Sequence, residues 1–194
     1  MDEFKVNKMK NAFWLYLEEQ AKKANKEFKP SDEHLKLIAF LFNHTFFITD
    51  GSLNLRKSWW LWGAPGLGKT FLIDCLAGFA EKVHFRQQFK VVGADYLAWE
   101  IKSGRLSAKE YINKAYLVID HVDLDSVQKE IGIWKMFLRE RFEMYKGGAR
   151  TCFISNYPLH GQEVCFSKLF DQSILWKLED FLVEVYMPKK PLLI

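Results

Sequence analysis

The chain has 194 residues, of which 49% are hydrophobic and 27% are charged. This balance suits one α/β domain with a short appendage, and it argues against intrinsic disorder and against a fibrous protein. The formal net charge of +4 permits contact with nucleic acid but is too small to argue for it, because nucleic-acid-binding domains are normally more basic.

The cysteines and the N-terminus bear on the compartment. Cys75, Cys152 and Cys165 are odd in number and far apart, which argues against both a disulfide framework and a zinc ribbon. We expect Cys75 and Cys152 to be small core residues of a reduced protein. The first ten residues are charged where a signal peptide needs an apolar run, and no apolar segment reaches about 18 residues. We therefore predict a soluble, cytoplasmic protein with no membrane partner.

Two helices are predicted in residues 1–50, which we expect to form an N-terminal helical extension. The first runs from about Val6 to Ala24 with apolar residues at helical spacing. The second begins near Ser31, which can cap a helix that starts with two acids. These helices hold several of the 17 Phe and 7 Trp residues of the chain. Their aromatic side chains either pack onto the rest of the protein or dock a partner, and packing is the preferred interpretation.

From Ser58 the periodicity changes, and residues 51–194 are predicted to form a second domain. Short apolar runs alternate with amphipathic stretches, which is typical of a parallel sheet flanked by helices. The predicted strands are Ser58–Trp62, Phe89–Val92, Tyr116–Ile119, Thr151–Ile154 and Leu182–Tyr186. The predicted helices are Thr70–Glu81, Ala94–Ser103, Ala108–Asn113, Val127–Tyr145 and Ser167–Leu178. The expected fold class is therefore α/β, with a five-stranded parallel sheet.

A phosphate-binding motif follows the first predicted strand. It matches G-x-x-x-x-G-K-[ST] in full with Gly63, Ala64, Pro65, Gly66, Leu67, Gly68, Lys69 and Thr70. Its glycines let the backbone wrap so that successive N–H groups point at a β-phosphate, and the following helix adds the positive end of its dipole. Lys69 is predicted to reach the β- and γ-phosphates, and the Thr70 hydroxyl to ligate Mg²⁺. We therefore expect this P-loop to bind a nucleoside triphosphate.

A carboxylate at the end of the strand Tyr116–Ile119 is the candidate second magnesium ligand. Asp120 can hold Mg²⁺ there, usually through water, as the Walker-B aspartate does in P-loop proteins. The next residue is His121, at a position where many such ATPases carry an acid that polarises the attacking water. An imidazole can orient water, but it is no base once it is protonated. Asp123 is the alternative base, and we predict slow or partner-dependent hydrolysis.

The strand Thr151–Ile154 ends in the polar pair Ser155 and Asn156. An amide at the tip of a central strand beside a P-loop can hold the γ-phosphate or the lytic water, although Asn before an X-Pro pair is also common in a simple turn. The first interpretation is preferred because the expected strand order places this tip beside Asp120. The candidate catalytic residues are thus Lys69, Asp120, His121, Asp123 and Asn156.

Together these segments resemble an AAA+ ATPase, in particular the DnaC/DnaI/IstB group of bacterial helicase loaders. The resemblance covers about residues 59–188 and rests on GAPGLGKT, GADYLAWEIKSG, YLVIDHVD and FLRERFEMYKGGARTCFISNYP. It implies ATP and Mg²⁺ as cofactors, a sensor role for Asn156 and an AAA+ fold without a separate lid domain. The chain departs from the group at His121. It departs again at Lys168 and Gln172, where the group carries arginines that act across a subunit boundary or sense the γ-phosphate.

The resemblance implies an ATP-binding accessory factor of DNA replication. Such a factor would dock a replicative helicase or an initiator protein through its N-terminal helices, and it would bind single-stranded DNA through basic loops under the control of ATP. The candidate loop charges are Lys102, Arg105, Lys146 and Arg150. Self-assembly into a homo-oligomer stays open.

Three other functions compete with this one. A regulatory ATPase switch similar to DnaA or Hda fits the altered residue after Asp120 and the segment LEDFLVEVYMP. A superfamily 3 replication helicase is similar in VIDHVD followed by WKMF, but that family usually has a shorter gap between the P-loop lysine and the acid. A small-molecule kinase would need a substrate pocket and a lid, for which the sequence shows no residues.

Overall fold

The computed structural model describes residues 3–48, 57–85, 89–104, 107–145, 148–161 and 164–193, without the side chains of Ser107 and Ala108. Arg105 and Lys146, two of the candidate DNA-contacting charges, lie outside these residues.

Five strands form one parallel sheet in the order β2-β3-β4-β1-β5. They are β1 (Ser58–Trp62), β2 (Phe89–Gly93), β3 (Tyr116–Val122), β4 (Arg150–Ser155) and β5 (Leu182–Tyr186). Every predicted strand is present, and β3 continues to Val122 beyond its predicted end. The predicted α/β class with a five-stranded parallel sheet flanked by helices is therefore confirmed.

Eight α-helices accompany the sheet in the described part of the chain. They are α1 (Glu3–Lys23), α2 (Asp32–Thr45), α3 (Lys69–Lys82), α4 (Ala94–Lys102), α5 (Ser107–Ile112), α6 (Leu124–Lys129), α7 (Ile131–Tyr145) and α8 (Gln172–Phe181). Across the described ranges, none of the helices combines the length and the apolarity that crossing a bilayer demands.

The tryptophan-rich strand β1 lies between β4 and β5. Trp59 and Trp60 are buried, and each indole N–H has an acceptor. Trp59 Nε1 donates to the Tyr116 hydroxyl at 3.1 Å, and Trp60 Nε1 donates to the Tyr157 carbonyl at 3.0 Å. A buried N–H without such an acceptor would cost roughly 1–3 kcal/mol, so these bonds are what makes two indoles tolerable in a central strand.

Two predicted helices differ from the structure. The helix predicted over Val127–Tyr145 is two helices, because Glu130 leaves the helical conformation with φ −115° and ψ 31°. The helix predicted over Ser167–Leu178 is a short 3-10 turn followed by α8. Asp171 separates these elements, since its backbone is extended and its carboxylate accepts from Ile174 N at 3.2 Å as an N-cap. The apolar periodicity runs through both breaks and therefore did not reveal them.

The chain divides into two compact units. The first comprises Met1–Leu55, Ala64–Arg86 and Met187–Ile194, and the second comprises Arg56–Gly63 and Gln87–Tyr186. The whole sheet and the helices from α4 onward belong to the second unit. In the first unit, α1 and α2 both pack on α3.

Phenylalanine rings form much of the interior of the first unit. Phe13 of α1 stacks on Phe42 of α2, and Phe79 of α3 also contacts Phe13, each pair with ring centroids 5.2 Å apart. Phe46, at the end of α2, lies 4.7 Å from Phe42. Burial of each such ring contributes about 1.5–3 kcal/mol, so this cluster holds the three helices together. These phenylalanine rings therefore pack inside the first unit, which agrees with the preferred interpretation of the N-terminal aromatic residues.

The start of α2 is capped as predicted. Ser31 Oγ accepts from His34 N, and His34 Nδ1 accepts from Ser31 N at 3.1 Å, which forms a reciprocal capping box. His34 is fully buried. Burial lowers its pKa, and the charge of Glu33 and the backbone of Lys190 offset part of that effect.

The three cysteines are free and buried. Burial raises the pKa of Cys75 and of Cys152 to about 12. Thiols that ionise so late are poor nucleophiles at neutral pH, so the expected core role of these two residues fits their surroundings.

Candidate nucleotide-binding site

The P-loop connects β1 to α3, as its position in the sequence predicts. Gly63, Gly66 and Gly68 have φ angles of 152°, 78° and 94°. Positive φ costs a residue with a β-carbon roughly 1–2 kcal/mol, so the backbone of the loop depends on glycine at these points.

The loop ends at the N-terminus of α3. Gly68 is the N-cap of this helix, and no side chain caps the N–H groups of its first turn. The N–H groups of this turn and the positive end of the helix dipole together favour an anion. Ala64, Pro65 and Gly66 are exposed, so the crest of the loop is open to solvent.

Lys69 and Thr70 are the first two residues of α3. Lys69 is only 7% exposed, and its Nζ donates to the carbonyl of Ala64 at 2.8 Å. This charge-assisted bond holds the ammonium against the loop instead of letting it extend into solvent. Thr70 is half-buried at the same end of the helix.

The segment 187–193 contacts the loop. The carbonyl of Leu67 accepts from Leu192 N at 3.3 Å, and a β-carbon built on Gly68 would lie 3.0 Å from Cβ of Leu192. Leu192 is fully buried, and its own carbonyl accepts from Lys29 N at 3.1 Å. Sequence reasoning missed this contact, because nothing in the P-loop motif encodes what packs on it.

In the second unit, Asp120 and His121 lie together near the carboxyl end of β3. Asp120 is buried, and its Oδ1 accepts from His121 N at 2.7 Å. Its Oδ2 lies 3.2 Å from His121 Nδ1. The imidazole itself is 77% exposed. The pair therefore combines a shielded carboxylate with a solvent-facing ring.

The backbone at His121 is irregular. Its φ is +56°, which is uncommon for a residue with a β-carbon. The pairing of β3 with β4 moves from Ile119–Phe153 to Val122–Ser155, so β3 carries one extra residue here. Bulges of this kind re-aim side chains and are frequent beside active sites.

The tip of β4 lies next to this bulge. Ser155 Oγ donates to the Val122 carbonyl at 2.8 Å and accepts from Tyr157 N at 3.0 Å, which ties the tip to β3. Asn156 is exposed at the bend that follows. Asp123 is the N-cap of α6, and its carboxylate accepts from Asp125 N at 2.9 Å.

The strand order gathers these tips at one edge of the sheet. β4 lies between β3 and β1, and Ser155 is paired with Trp62, the last residue of β1. Gly63, the first P-loop residue, follows Trp62 directly. Within the second unit, the end of β4 that leads to Asn156 therefore lies next to β3, the strand of Asp120, as expected.

Arg150 is not a loop charge as predicted. It is the buried first residue of β4, and burial lowers the pKa of its guanidinium. Lys102 is exposed, and its Nζ lies 2.7 Å from Glu130 Oε1. Lys168 and Gln172 stand where the helicase-loader group carries arginines, and both are exposed.

Arg141 has a structural role that the sequence analysis did not identify. It is buried in α7, and its guanidinium donates to the carbonyls of residues 111, 112, 114 and 150 and, at 2.7 Å, to the Thr151 hydroxyl. Burial lowers the pKa of Arg141 to about 10, so it stays charged at neutral pH. Arg141 precedes Phe142 and falls on the apolar stripe of a helix. A charged residue on such a stripe is the sequence signal from which its burial could have been predicted.

The sequence matches no protein-family model and no curated protein. The fold, in contrast, matches solved structures. DnaI matches with a TM-score of 0.58 and 18% identity over 82% of this chain and 84% of that chain. The DnaC helicase loader matches with a TM-score of 0.57 and 16% identity over 82% of this chain and 92% of that chain.

A third match is AMPPCP-bound DnaA from Aquifex aeolicus, with a TM-score of 0.53 and 17% identity. It covers 80% of this chain but 46% of that chain, so the present chain spans about half the length of that protein. The chain therefore has the fold of the AAA+ P-loop NTPases, with DnaC, DnaI and DnaA among its structural neighbours.

Proposed function

We propose that this protein is an ATP-binding replication accessory factor that docks a replicative helicase onto DNA, similar to DnaC and DnaI. The observation that carries the proposal is the P-loop itself. Gly66 and Gly68 have left-handed backbones, Gly68 leaves the first turn of α3 uncapped, and Lys69 is held on the loop. This geometry suits a polyphosphate chain.

Each candidate residue has a proposed role. Lys69 neutralises the β- and γ-phosphates, while Thr70 and Asp120 ligate Mg²⁺. Asn156 senses the γ-phosphate or positions water. The fold shared with AMPPCP-bound DnaA supports an adenine nucleotide as the ligand.

Hydrolysis is proposed to be slow or dependent on a partner. The residue after Asp120 is a histidine with a strained backbone, where a carboxylate would serve as the base for water. Asp123, the alternative base, already caps α6. A protein with this arrangement suits a switch that holds ATP until a partner or DNA triggers its release.

The α1–α2 face is the proposed helicase-docking surface. A groove of about 210 Å³ lies between the two helices, with Phe13, Ile38 and Phe42 among its lining residues. Leu35 of α2 also lines this groove and is 40% exposed, so it offers an apolar side chain to a partner that docks there. Single-stranded DNA and further copies of this chain are additional proposed partners.

A binding experiment tests the docking proposal. Purified replicative helicase is immobilised, and the wild-type chain is passed over it with and without Mg-ATP. Leu35→Ser, at an exposed residue of the groove, is expected to weaken binding at least tenfold. Trp176→Ser, which removes a 63% exposed aromatic side chain from α8, is the matched control and is expected to bind as the wild type does. Equal binding by both variants, or no binding of the wild type under either condition, contradicts the proposed docking of a replicative helicase.

A regulatory switch similar to DnaA or Hda is the second candidate, and His121 in place of an acid is the observation that favours it. Such a switch would bind an initiator protein and not the helicase. The same binding experiment, with a replication initiator immobilised instead, separates the two. ATP-dependent unwinding of duplex DNA by the purified chain would contradict both and favour a superfamily 3 helicase.

A further inference from the structure

The backbone of Leu192 joins two parts of the first unit. Its N–H donates to the Leu67 carbonyl of the P-loop, and its carbonyl accepts from Lys29 N in the linker between α1 and α2. Leu193 pairs with Phe28 of the same linker in an antiparallel bridge. One residue of the segment 187–193 therefore connects the P-loop to the linker through hydrogen bonds on both sides.

The hydrogen bond from Leu192 to the Leu67 carbonyl fixes the direction of the Gly68 N–H. A trans peptide is planar, and its C=O and N–H point in opposite directions. The Leu67–Gly68 peptide is trans, as are all those of the described residues. Because Leu192 holds the carbonyl of this peptide on one side of the loop, the Gly68 N–H is directed to the other side.

The side chain of Leu192 holds the same peptide by packing. It lies against the face of Gly68 where any other residue would have a β-carbon, at 3.0 Å from that position. Leu192 is fully buried, and Leu67 is buried beside it. Rotation of the Leu67–Gly68 peptide would break the bond to Leu192 and lose these contacts together.

We infer that Leu192 is a positioning residue of the phosphate site. It keeps the Gly68 N–H directed at the place where a phosphate binds, and through Lys29 it makes that orientation depend on the linker between the N-terminal helices. The inference rests on the proposed binding of ATP by the P-loop. Binding free energies are reciprocal, so a partner that moves the linker changes ATP affinity, and ATP changes the affinity of that partner by the same factor.

The linker bond is tested with a pair of substitutions at Lys29. Lys29→Pro removes the N–H that the Leu192 carbonyl accepts. Lys29→Ala keeps this N–H and loses only an ion pair with Glu27 on the surface, where such pairs contribute little to stability. Isothermal titration with Mg-ATP is expected to give a Kd at least fivefold higher for Lys29→Pro and within twofold of wild type for Lys29→Ala.

The packing is tested with neighbouring leucines. Leu192→Ala is expected to raise the Kd for Mg-ATP at least tenfold, Leu192→Met to restore it to near the wild-type value, and Leu193→Ala to change it less than twofold. Thermal melting is recorded for each variant, and titrations are done well below the lowest melting temperature. The Gly68 amide resonance in a ¹⁵N-labelled sample is expected to shift in Leu192→Ala and Lys29→Pro without nucleotide.

The outcomes distinguish a failure of the proposed ATP binding from a failure of the positioning role of Leu192. If the wild type does not bind Mg-ATP, the proposed function fails. If the wild type binds, Lys69→Ala abolishes binding, and yet Leu192→Ala and Lys29→Pro bind as the wild type does, then the positioning role alone is overturned. A melting temperature lowered by Leu192→Ala with an unchanged Kd also overturns it, since the residue would then be structural only.

Discussion

The P-loop and the strand tips are built in different ways. The P-loop is eight consecutive residues whose proposed phosphate donors include backbone N–H groups, and positive φ at Gly66 and Gly68 fixes its shape. The strand tips assemble side chains from distant parts of the chain, and the strand order brings Asp120 and Asn156 to one edge of the sheet. A motif built from the backbone tolerates little change in sequence, whereas a site built from side chains can change one residue at a time.

The largest expected effect concerns the other end of the same two strands, where Arg141 bonds to residues at or just before the amino-terminal ends of β3 and β4. Arg141→Ala leaves four carbonyls without this donor, of which two are buried and two are part-buried and can accept from water. Each buried unsatisfied group costs roughly 1–3 kcal/mol, so we expect a loss of about 3–5 kcal/mol in unfolding free energy. Chemical denaturation measures it. Arg139→Ala, an exposed neighbour on the same helix, is the control and is expected to change stability by less than about 0.5 kcal/mol. Equal losses would mean that the buried bonds contribute nothing.

The second effect tests the dependence of the P-loop on its backbone. Gly68→Ala meets both positive φ and the Leu192 side chain, so we expect a cost of roughly 2–4 kcal/mol in stability. Gly66→Ala meets positive φ with open space around it, so its cost is expected to be only about 1–2 kcal/mol. Denaturation of both variants measures the difference. Gly66→Ala costing as much as Gly68→Ala would show that Leu192 does not constrain the loop.

The third effect tests whether His121 stands where an acidic residue would act as the general base for water. His121→Glu is expected to raise ATP turnover at least tenfold, about 1.4 kcal/mol, because a positioned general base contributes roughly 10²–10⁴ in rate. His121→Gln has a similar size without a base and is expected to stay at the wild-type rate. Steady-state phosphate release measures both. A faster Gln variant, or an unchanged Glu variant, would remove His121 from the explanation of slow hydrolysis.

The smallest effect concerns the first unit and its pH dependence. Burial lowers the pKa of His34, so the folded protein keeps this ring neutral where the unfolded chain takes up a proton near pH 6.5. Protons therefore bind the unfolded state preferentially as the pH falls below 6.5, and stability decreases. His34→Gln is expected to flatten the stability curve between about pH 6.5 and pH 5. Parallel curves for the two proteins would show that His34 does not titrate on unfolding.

The sequence predicted the regular elements well and the packing poorly. All five strands and the P-loop follow from local patterns, because apolar runs and glycine spacing act over a few residues. The break at Glu130 was missed because apolar periodicity continues across it. The burial of Arg150 was missed because a basic residue beside a turn normally faces water.

Contacts between distant segments explain the remaining misses. Leu192 lies far from the P-loop in sequence, and its two hydrogen bonds use only backbone atoms, so no side-chain signal marks it. The bulge at His121 arises from the pairing of two strands, and neither strand alone predicts it.

The most direct measurement is the binding of Mg-ATP to the wild type and to Lys69→Ala, with turnover recorded on the same samples. We predict tight binding with very slow turnover for the wild type, and at least a hundredfold weaker binding for Lys69→Ala at unchanged thermal stability. Equal binding by the two proteins, or none by the wild type, would contradict the assignment of residues 63–70 as a nucleotide site.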